Sequence, residues 1–525
     1  MFENCGEGTC VVKKMAIPSV IKEVVCELSL PDYLPDVSRL LRTEAVVGAE
    51  NGYVSGGALE YDGEINSTVI YATSDGRIKS VSLSSDFDGS LPLPEADGDI
   101  AASPRIRVDG VTCRLQNPRR LSVRVKLDVG GDMFTSMCVS PVVSGKLTAE
   151  EEANIQRRTY DGESFCRVCV KDENIPVSED IELDGQDASI GEIVSLSLLP
   201  YVYEVRAENG KLSYRGDVSA ELIYLAATAD EKKQAEYFSV RKKIPIAGSV
   251  DADGVTDAFT ACGDATVTGV EFRPQANATG ENRVAEVDFT YTAHLCAYSN
   301  RRVETVVDMY STDYQCENVS KEYEMRRALR AGAFNFTSDG TSPLDEKGHD
   351  VPVAGSATVT VEKIEKNGSK AVFTGKTAVS VILASGDGSY VGRSFEYPFR
   401  AETEVGKSRG ELECSASPSV VGMSARVDGG ELKCDVEVGI SFAAFEKEKV
   451  ASVSECVVMT DRPVRRATPA SIVICYPSSE DDLWSVSKRY GTTESDIMKA
   501  NSLTSEKLSG EALIIPSKSE KSKLF

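Results

Sequence analysis

Histidine, the side chain most often used as a general base, is scarce in this chain. Two histidines, His294 and His349, occur among 525 residues. A histidine base needs an orienting partner and a cleft as well as its own ring. The sequence contains no phosphate-loop lysine motif, no His-Glu-x-x-His and no paired Cys-x-x-Cys zinc spacing. We therefore expect a protein that is not an enzyme and uses no cofactor or metal. A hydrolase with a carboxylate pair is the open alternative, because acidic residues are abundant.

An acidic run near the C-terminus offers binding chemistry instead. Glu480, Asp481 and Asp482 are consecutive and precede the segment Leu483–Tyr490, which reads as a helix. Either aspartate is a suitable N-cap, because its carboxylate accepts a hydrogen bond from an amide of the first helical turn. The charge of the run would also give a basic protein partner a faster and more specific association.

The elements predicted around this run are a strand, two helices and a second strand. The strands are Ser471–Tyr476 and Glu511–Ile515, and Pro516 ends the second of them. The second helix is Thr493–Asn501, opened by a Thr-x-x-Asp variant of the capping box. A module of about 45 residues is small but able to fold on a shared core.

The segment LWSVSKRYGTTESDIMKANSLTSEKLSGEALIIP resembles a LysM domain. The similarity lies in its Leu-Trp-Ser, Tyr-Gly-Thr-Thr, Lys-Ala-Asn and Leu-Ile-Ile-Pro stretches. The resemblance implies a βααβ fold over residues 471–517 that binds N-acetylglucosamine polymers such as peptidoglycan or chitin. It implies that the loops at 477–483 and 501–510 hold the ligand or partner. The candidate site residues are Asp481, Asp482, Leu483, Trp484, Asn501, Ser502, Leu503 and Thr504.

One departure from the LysM pattern bears on the partner. Where many LysM domains read Pro-Gly-Asp-Thr-Leu, this chain has Ser-Glu-Asp-Asp-Leu at residues 479–483. The glycine that admits a close backbone approach is absent, and three carboxylates stand at the cleft instead. A neutral sugar gains little from such charge, so this departure favours a basic protein surface as the partner.

Three long repeats precede this module. An Asn-Gly pair stands at positions 51, 209 and 367, at a constant spacing of 158 residues. After the second pair, Leu212, Tyr214 and Val218 alternate with polar residues. A period of two is typical of a half-buried strand, and Asn-Gly supplies the positive φ angles of a tight hairpin turn. Self-similarity at a fixed period indicates a repeated domain.

Each repeat contains two related halves, which makes six strand-turn-strand units. Short alternating strands separated by turn residues indicate antiparallel sandwiches or barrels. We predict a mainly β protein of three tandem antiparallel β-sandwich-like domains and a small βααβ domain. Helix-forming composition also predicts short linker helices at Glu150–Arg158 and Ser320–Ala331. The predicted boundaries are 1–155, 156–318 and 319–461 for the β domains, 462–470 for a linker, 471–517 for the βααβ domain and 518–525 for a disordered tail.

The repeats are similar to the SPOCS domain of endospore-forming bacteria. Each repeat ends in a strand in which a glycine is followed by alternating apolar residues and then by a tyrosine or a similar residue. SPOCS domains often occur in tandem just upstream of a C-terminal LysM domain. The resemblance implies a structural scaffold protein of spore coat assembly, made in the mother cell and placed at the forespore surface. It implies that the LysM domain docks onto a coat morphogenetic or basement protein. The alternative is a cell-wall protein that grips peptidoglycan and uses its β domains as spacers.

Composition limits the remaining partners. The net charge of −24 argues against nucleic acid or an anionic membrane as the main partner. No stretch approaches the roughly 18 uninterrupted apolar residues of a membrane-spanning helix, so no membrane insertion is expected. The N-terminal segment lacks the apolar run of a signal peptide, which predicts residence in the cytoplasm.

Overall fold

The computed structural model describes residues 9–96, 100–139, 142–144, 146–169, 173–227, 235–277, 280–344, 350–464, 472–505, 508 and 511–516. Most of this backbone is strand, and three short helices occur within it, so the predicted mainly β character is confirmed. Most of the predicted linker at 462–470 and all of the predicted tail at 518–525 lie outside the described residues, as does His349.

The first repeat forms two antiparallel sheets. One is the meander β2-β3-β4, and the other has the order β1-β6-β5, so the strand that opens the repeat returns beside the strand that closes it. The strands are β1 (Thr9–Ser29), β2 (Arg39–Ser55), β3 (Ala58–Ala72), β4 (Ile78–Pro92), β5 (Ile100–Asn117) and β6 (Arg120–Val139).

The second and third repeats have the same plan. The second combines β10-β11-β12 with β13-β14-β8, and β9 also pairs with β14. The third combines β16-β17-β18 with β15-β20-β19, and β7 adds to β20 in parallel. The elements are β7 (Val142–Ser144), α1 (Ala149–Ala153), β8 (Ile155–Cys169), β9 (Glu173–Glu182), β10 (Ile190–Glu208), β11 (Lys211–Ala226), β12 (Tyr237–Asp251), β13 (Thr260–Ala276), β14 (Asn282–Ser311), β15 (Tyr314–Pro343), β16 (Val351–Asn367), β17 (Lys370–Ala384), β18 (Tyr390–Glu404), β19 (Glu411–Asp428) and β20 (Glu431–Pro463).

The predicted hairpin turns are present in two of the three repeats. Gly210 and Gly368 have positive φ angles of 76° and 65° and connect β10 to β11 and β16 to β17. The first Asn-Gly pair, at 51–52, is instead inside β2, and the turn uses Gly56 and Gly57. Gly52 has another role there, because a Cβ atom at this position would lie 2.3 Å from the Pro104 ring. The prediction of a turn at Asn51 is therefore wrong.

The predicted linker helices are mostly replaced by strand. The first shortens to α1, since β8 begins at Ile155. The second is wrong, because Ser320–Ala331 lies within β15, which pairs with β20 over almost its whole length. Helix propensity amounts to a fraction of a kcal/mol per residue, so a long ladder with buried Met325 overrides it. β15 also runs through the predicted domain boundary between residues 318 and 319, and its pairing with β20 places it in the third repeat.

Each repeat has a core of buried side chains contributed by both of its sheets. In the second repeat, alternate residues of β11 face this core, among them Tyr214 and Tyr224, opposite Phe289 of β14. Equivalent cores lie in the first and third repeats. Full burial of one large apolar side chain contributes roughly 1.5–3 kcal/mol, so these faces fix the strand orientations.

The three repeats meet at two shared apolar clusters. Ile70, Ile223 and Ile382 occupy the same place in β3, β11 and β17 and share one cluster. At the other cluster, the ring of Phe165 packs against one aromatic ring from each repeat. The partners are Phe134, Tyr298 and Phe445, with ring centroids 6.4, 6.3 and 5.0 Å from that of Phe165. The three repeats therefore pack against one another through shared apolar clusters.

The C-terminal module, residues 472–516, has its own small core. Its elements are β21 (Ile472–Cys475), α2 (Leu483–Tyr490), α3 (Glu494–Asn501) and β22 (Leu513–Pro516). β21 and β22 pair antiparallel, and the helices cover one face of this pair through Leu483, Val486 and Ile497. The predicted strand-helix-helix-strand order is confirmed.

Candidate functional site

The acidic run before α2 is largely engaged in local bonds. Asp482 is the N-cap of α2, where its Oδ1 accepts a hydrogen bond of 2.8 Å from the Ser485 amide. Its own amide donates to Ser485 Oγ at 3.0 Å and completes a capping box. Asp481 accepts a hydrogen bond of 2.9 Å from the Ser478 amide, and this bond stabilises the loop that precedes α2.

Two arginines neutralise these carboxylates. Arg489, in the last turn of α2, pairs with Asp481 and lowers its carboxyl pKa. Arg158 of β8 pairs with Asp482 at 2.8 Å. Burial opposes ionisation of Asp482, but the bonds from Ser485 and the charge of Arg158 outweigh it and lower its pKa. Glu480 is exposed and forms no ion pair among the described residues, so it is the one acid of the run without a described countercharge.

Helix α2 packs against the end of β14. The indole of Trp484 donates a hydrogen bond of 2.7 Å to Asp308 Oδ2, and Lys488 Nζ lies 2.6 Å from Asp308 Oδ1. Burial alone would raise the carboxyl pKa of Asp308, but Lys488 and Trp484 hold it below its ordinary value. The Trp484 ring also meets that of Tyr310 edge-on, with centroids 4.9 Å apart.

A buried hydroxyl pair extends this contact. Tyr310 OH donates to the Thr492 carbonyl oxygen at 2.8 Å and lies 3.0 Å from Ser487 Oγ. Burial raises the phenol pKa of Tyr310 to about 12, so the group remains a donor at neutral pH. Gly491 ends α2 with a positive φ of 61°, and Val464 packs against it. We call Trp484, Ser487 and Lys488 together with Asp308 and Tyr310 the docking interface.

The second predicted loop is held by Asn501. Its Nδ2 donates to the carbonyl oxygens of Ile497 and Ile514 at 2.8 and 2.7 Å, and its Oδ1 accepts from the Ile514 amide at 2.7 Å. The side chain thereby fastens the end of α3 to β22. Ser502 caps α3 in the left-handed conformation, with φ of 54°.

Apolar side chains bring the two loops to the same core. Leu483 ends the first loop and is 1% exposed. Leu503 and Leu508 of the second loop pack onto the cluster that contains it. Thr504 and Glu480 remain exposed on the respective loops. A ligand held by both loops would therefore meet Thr504, Ser502 and the polar stretch at 478–480.

The eight predicted site residues thus have different surroundings. Asp482 and Trp484 contact the β repeats, Leu483 and Leu503 belong to the module's core, and Asp481 and Asn501 stabilise its loops. Ser502 and Thr504 are exposed. Sequence reasoning missed the residues of the β repeats that bind α2, since no local pattern marks them. These are Arg158, Asp308 and Tyr310.

Elsewhere in the described chain, few features suggest other chemistry. Nε2 of His294 lies 3.2 Å from Thr266 Oγ1, on a neighbouring strand. Among the described residues, no group of three or more His, Cys, Asp or Glu side chains is arranged to hold a metal ion. The helices within the described ranges are too short and too polar to cross a membrane.

Comparison with known proteins identifies one part of the chain. Residues 478–516 match the LysM domain family, which covers the two helices, both candidate loops and β22. The chain therefore carries a LysM domain at its C-terminal side. No curated protein and no solved structure matches the chain.

Proposed function

We propose that this chain is a non-enzymatic binding protein that holds N-acetylglucosamine polymers, such as peptidoglycan, through its LysM domain. The observation that carries the proposal is the family match over 478–516 together with an intact βααβ fold and two loops on one core. LysM domains commonly bind carbohydrates such as peptidoglycan, which supports the same class of ligand for this chain.

The charge argument against a sugar is weaker in the folded protein than in the sequence. Asp481 and Asp482 are engaged by Arg489 and Arg158, so they do not repel or desolvate a ligand as free charges would. Hydroxyl side chains at Ser479, Ser502 and Thr504 provide the kind of neutral hydrogen-bonding groups that a sugar chain accepts.

Sedimentation of the full chain with insoluble peptidoglycan tests this proposal. We expect retention that persists from 0.15 to 0.5 M salt, because neutral hydrogen bonds and stacking are weakly screened. The double variant Ser479→Arg/Thr504→Arg places bulky side chains on both loops and should reduce retention at least tenfold. The matched control is Ser495→Arg, on the exposed surface of α3. Absence of retention, or equal retention by the double variant, would contradict the proposal.

A second candidate function is a scaffold of the spore coat, with the LysM domain docking onto a coat morphogenetic protein. This follows the resemblance of the repeats to SPOCS domains. The observation that favours a protein partner is an exposed apolar patch on the outer face of the β21–β22 pair. Its members are Ile474, Tyr476 and Ile514, with exposed fractions of 62, 77 and 41%. In this candidate the chain acts in the mother-cell cytoplasm at the forespore surface, and its three repeats act as β-sandwich domains of one scaffold.

Localisation separates the two candidates. In a sporulating host, the scaffold candidate predicts that a tagged chain surrounds the forespore and that Ile474→Glu/Tyr476→Glu abolishes this ring. Buried residues of the LysM core are untouched by these changes, so the fold should persist. Unchanged localisation of the double variant, with peptidoglycan retention lost in Ser479→Arg/Thr504→Arg, would reject the scaffold in favour of the wall-binding function.

A further inference from the structure

A cavity of about 950 Å³ lies between the first and third repeats, and none of its lining residues belongs to the LysM domain. Its walls come from β1, β5 and β6 on one side and from β15, β19 and β20 on the other. A space of this size accommodates a small organic molecule, since ligand pockets commonly measure roughly 300–1,000 Å³.

The lining of this cavity has a net positive charge, although the chain as a whole is acidic. Seven lysines and arginines line it, against five carboxylates, whereas the whole chain carries a net charge of −24. The lining residues therefore carry a formal charge of +2 (7 − 5), and a positive concave surface attracts anions.

The carboxylates of the cavity wall are mostly paired already. Glu413 binds Arg326 Nε at 2.7 Å, and Glu324 binds Lys447 at 3.0 Å. Asp132 lies 3.3 Å from Lys14. Glu322 lies 3.5 Å from Lys449, which leaves Glu95 as the one lining carboxylate without a described ion pair. The lining cations outside these pairs therefore outnumber the remaining acid.

Four positive groups have spare capacity. Lys13, Arg105 and Lys321 line the cavity and form no salt bridge with any described carboxylate. Arg326 is 5% exposed, and its Nη1 is buried without a hydrogen-bond partner in the described structure. A buried guanidinium donor without a partner costs free energy, which an incoming acceptor would recover.

We propose that this cavity binds a small polyanion that carries phosphate or carboxylate groups. Nη1 of Arg326 donates to one oxyanion group from the cavity floor, and Lys13, Arg105 and Lys321 neutralise the rest at the rim. Arginine suits the buried position, because its planar fork binds carboxylate and phosphate oxygens with fixed geometry. The pairing of the acids with cations is the reason to infer binding here and not acid–base hydrolysis.

Isothermal titration of the full chain with pyrophosphate and with citrate, at constant ionic strength, tests this inference. We expect saturable binding of one equivalent by at least one probe. Preference for pyrophosphate assigns the ligand to the phosphate class, and preference for citrate to the carboxylate class. Arg326→Lys should weaken binding about tenfold, because one charge-assisted hydrogen bond is lost. Lys321→Gln and Arg105→Gln should each weaken it about threefold to tenfold.

Lys321→Gln decides the question if Arg326→Lys does not fold, since Lys321 is exposed and has no ion-pair partner among the described residues. The matched control is Lys499→Gln, which removes the same charge from the exposed surface of α3 in the LysM domain. The inference is overturned if neither probe binds saturably, or if Lys321→Gln binds as tightly as the wild type or the control.

Discussion

Trp484→Ala is expected to release the LysM domain from the β repeats while both remain folded. Trp484 is 6% exposed, donates its indole N–H to Asp308 and packs edge-on against Tyr310, yet it is absent from the buried cluster that forms the LysM core. Truncation of a buried tryptophan costs about 3–5 kcal/mol. Here that loss falls on the docking interface, which shifts the docking equilibrium by about a hundredfold or more.

Amide hydrogen exchange measures this release. In Trp484→Ala we expect faster exchange around Tyr310 and at the end of α2, with protection of β21 and β22 unchanged. Asp308→Asn should reproduce the effect from the other side of the interface, because it leaves Lys488 without its carboxylate partner. The control Lys499→Ala changes an exposed position of α3 and should leave every region as protected as before. Retained protection around Tyr310 in Trp484→Ala would refute this account of the interface.

The same variant distinguishes two roles for Trp484. If peptidoglycan retention is unchanged while the docking interface opens, the indole serves the interface alone. If retention falls together with protection, the predicted ligand role of Trp484 is supported. Since Trp484 is nearly buried when α2 is docked, we expect the first result.

Glu221→Gln is expected to destabilise the junction of the three repeats by about 3–5 kcal/mol, as for the loss of one partner from a buried ion pair. Glu221 of the second repeat lies 3.1 Å from Arg42 of the first and 2.6 Å from Arg241. It also accepts a hydrogen bond of 3.2 Å from the Gly355 amide of the third repeat. Arg42 is 3% exposed, so a neutral partner leaves its charge buried with less compensation.

Differential scanning calorimetry of the full chain checks this prediction. The matched control is Glu192→Gln, which removes a carboxylate from another contact between the first two repeats. Glu192 binds Lys79 at 2.6 Å, but it is 49% exposed. A surface pair of this kind contributes about 1 kcal/mol or less, so the control should lower the unfolding temperature only slightly. Equal effects of the two variants would show that Glu221 is not a buried anchor of the junction.

Much of the local structure was predictable from the sequence. The period of two in Lys211–Ala226 identified a strand and its buried face, because successive side chains point to opposite sides of a pleated chain. The sequence offered Asp481 or Asp482 as the N-cap of α2, of which the structure uses Asp482, and Thr493 located the start of α3. The order of elements in the LysM domain was predictable for the same reason, since caps, turns and periodicity are properties of neighbouring residues.

The tertiary structure alone decided which distant residues meet. The composition of Ser320–Ala331 predicted a helix. The pairing of β15 with β20 shows that this segment is a strand. The Asn-Gly pair at 51–52 had the composition of a turn, but the approach of Pro104 and the two glycines at 56–57 moved the turn onward. In both cases long-range pairing outweighed a local preference of about 1 kcal/mol or less.

The candidate site shows the same division. The sequence by itself predicted a LysM domain at residues 471–517 with an acidic first loop, and the family match covers residues 478–516. Whether Asp482 is available to a partner depended on Arg158, which stands far away in the chain and reaches α2 only because the second repeat folds beside it. Charge is a property of the residue, but its availability depends on which countercharge the fold places within a few ångströms.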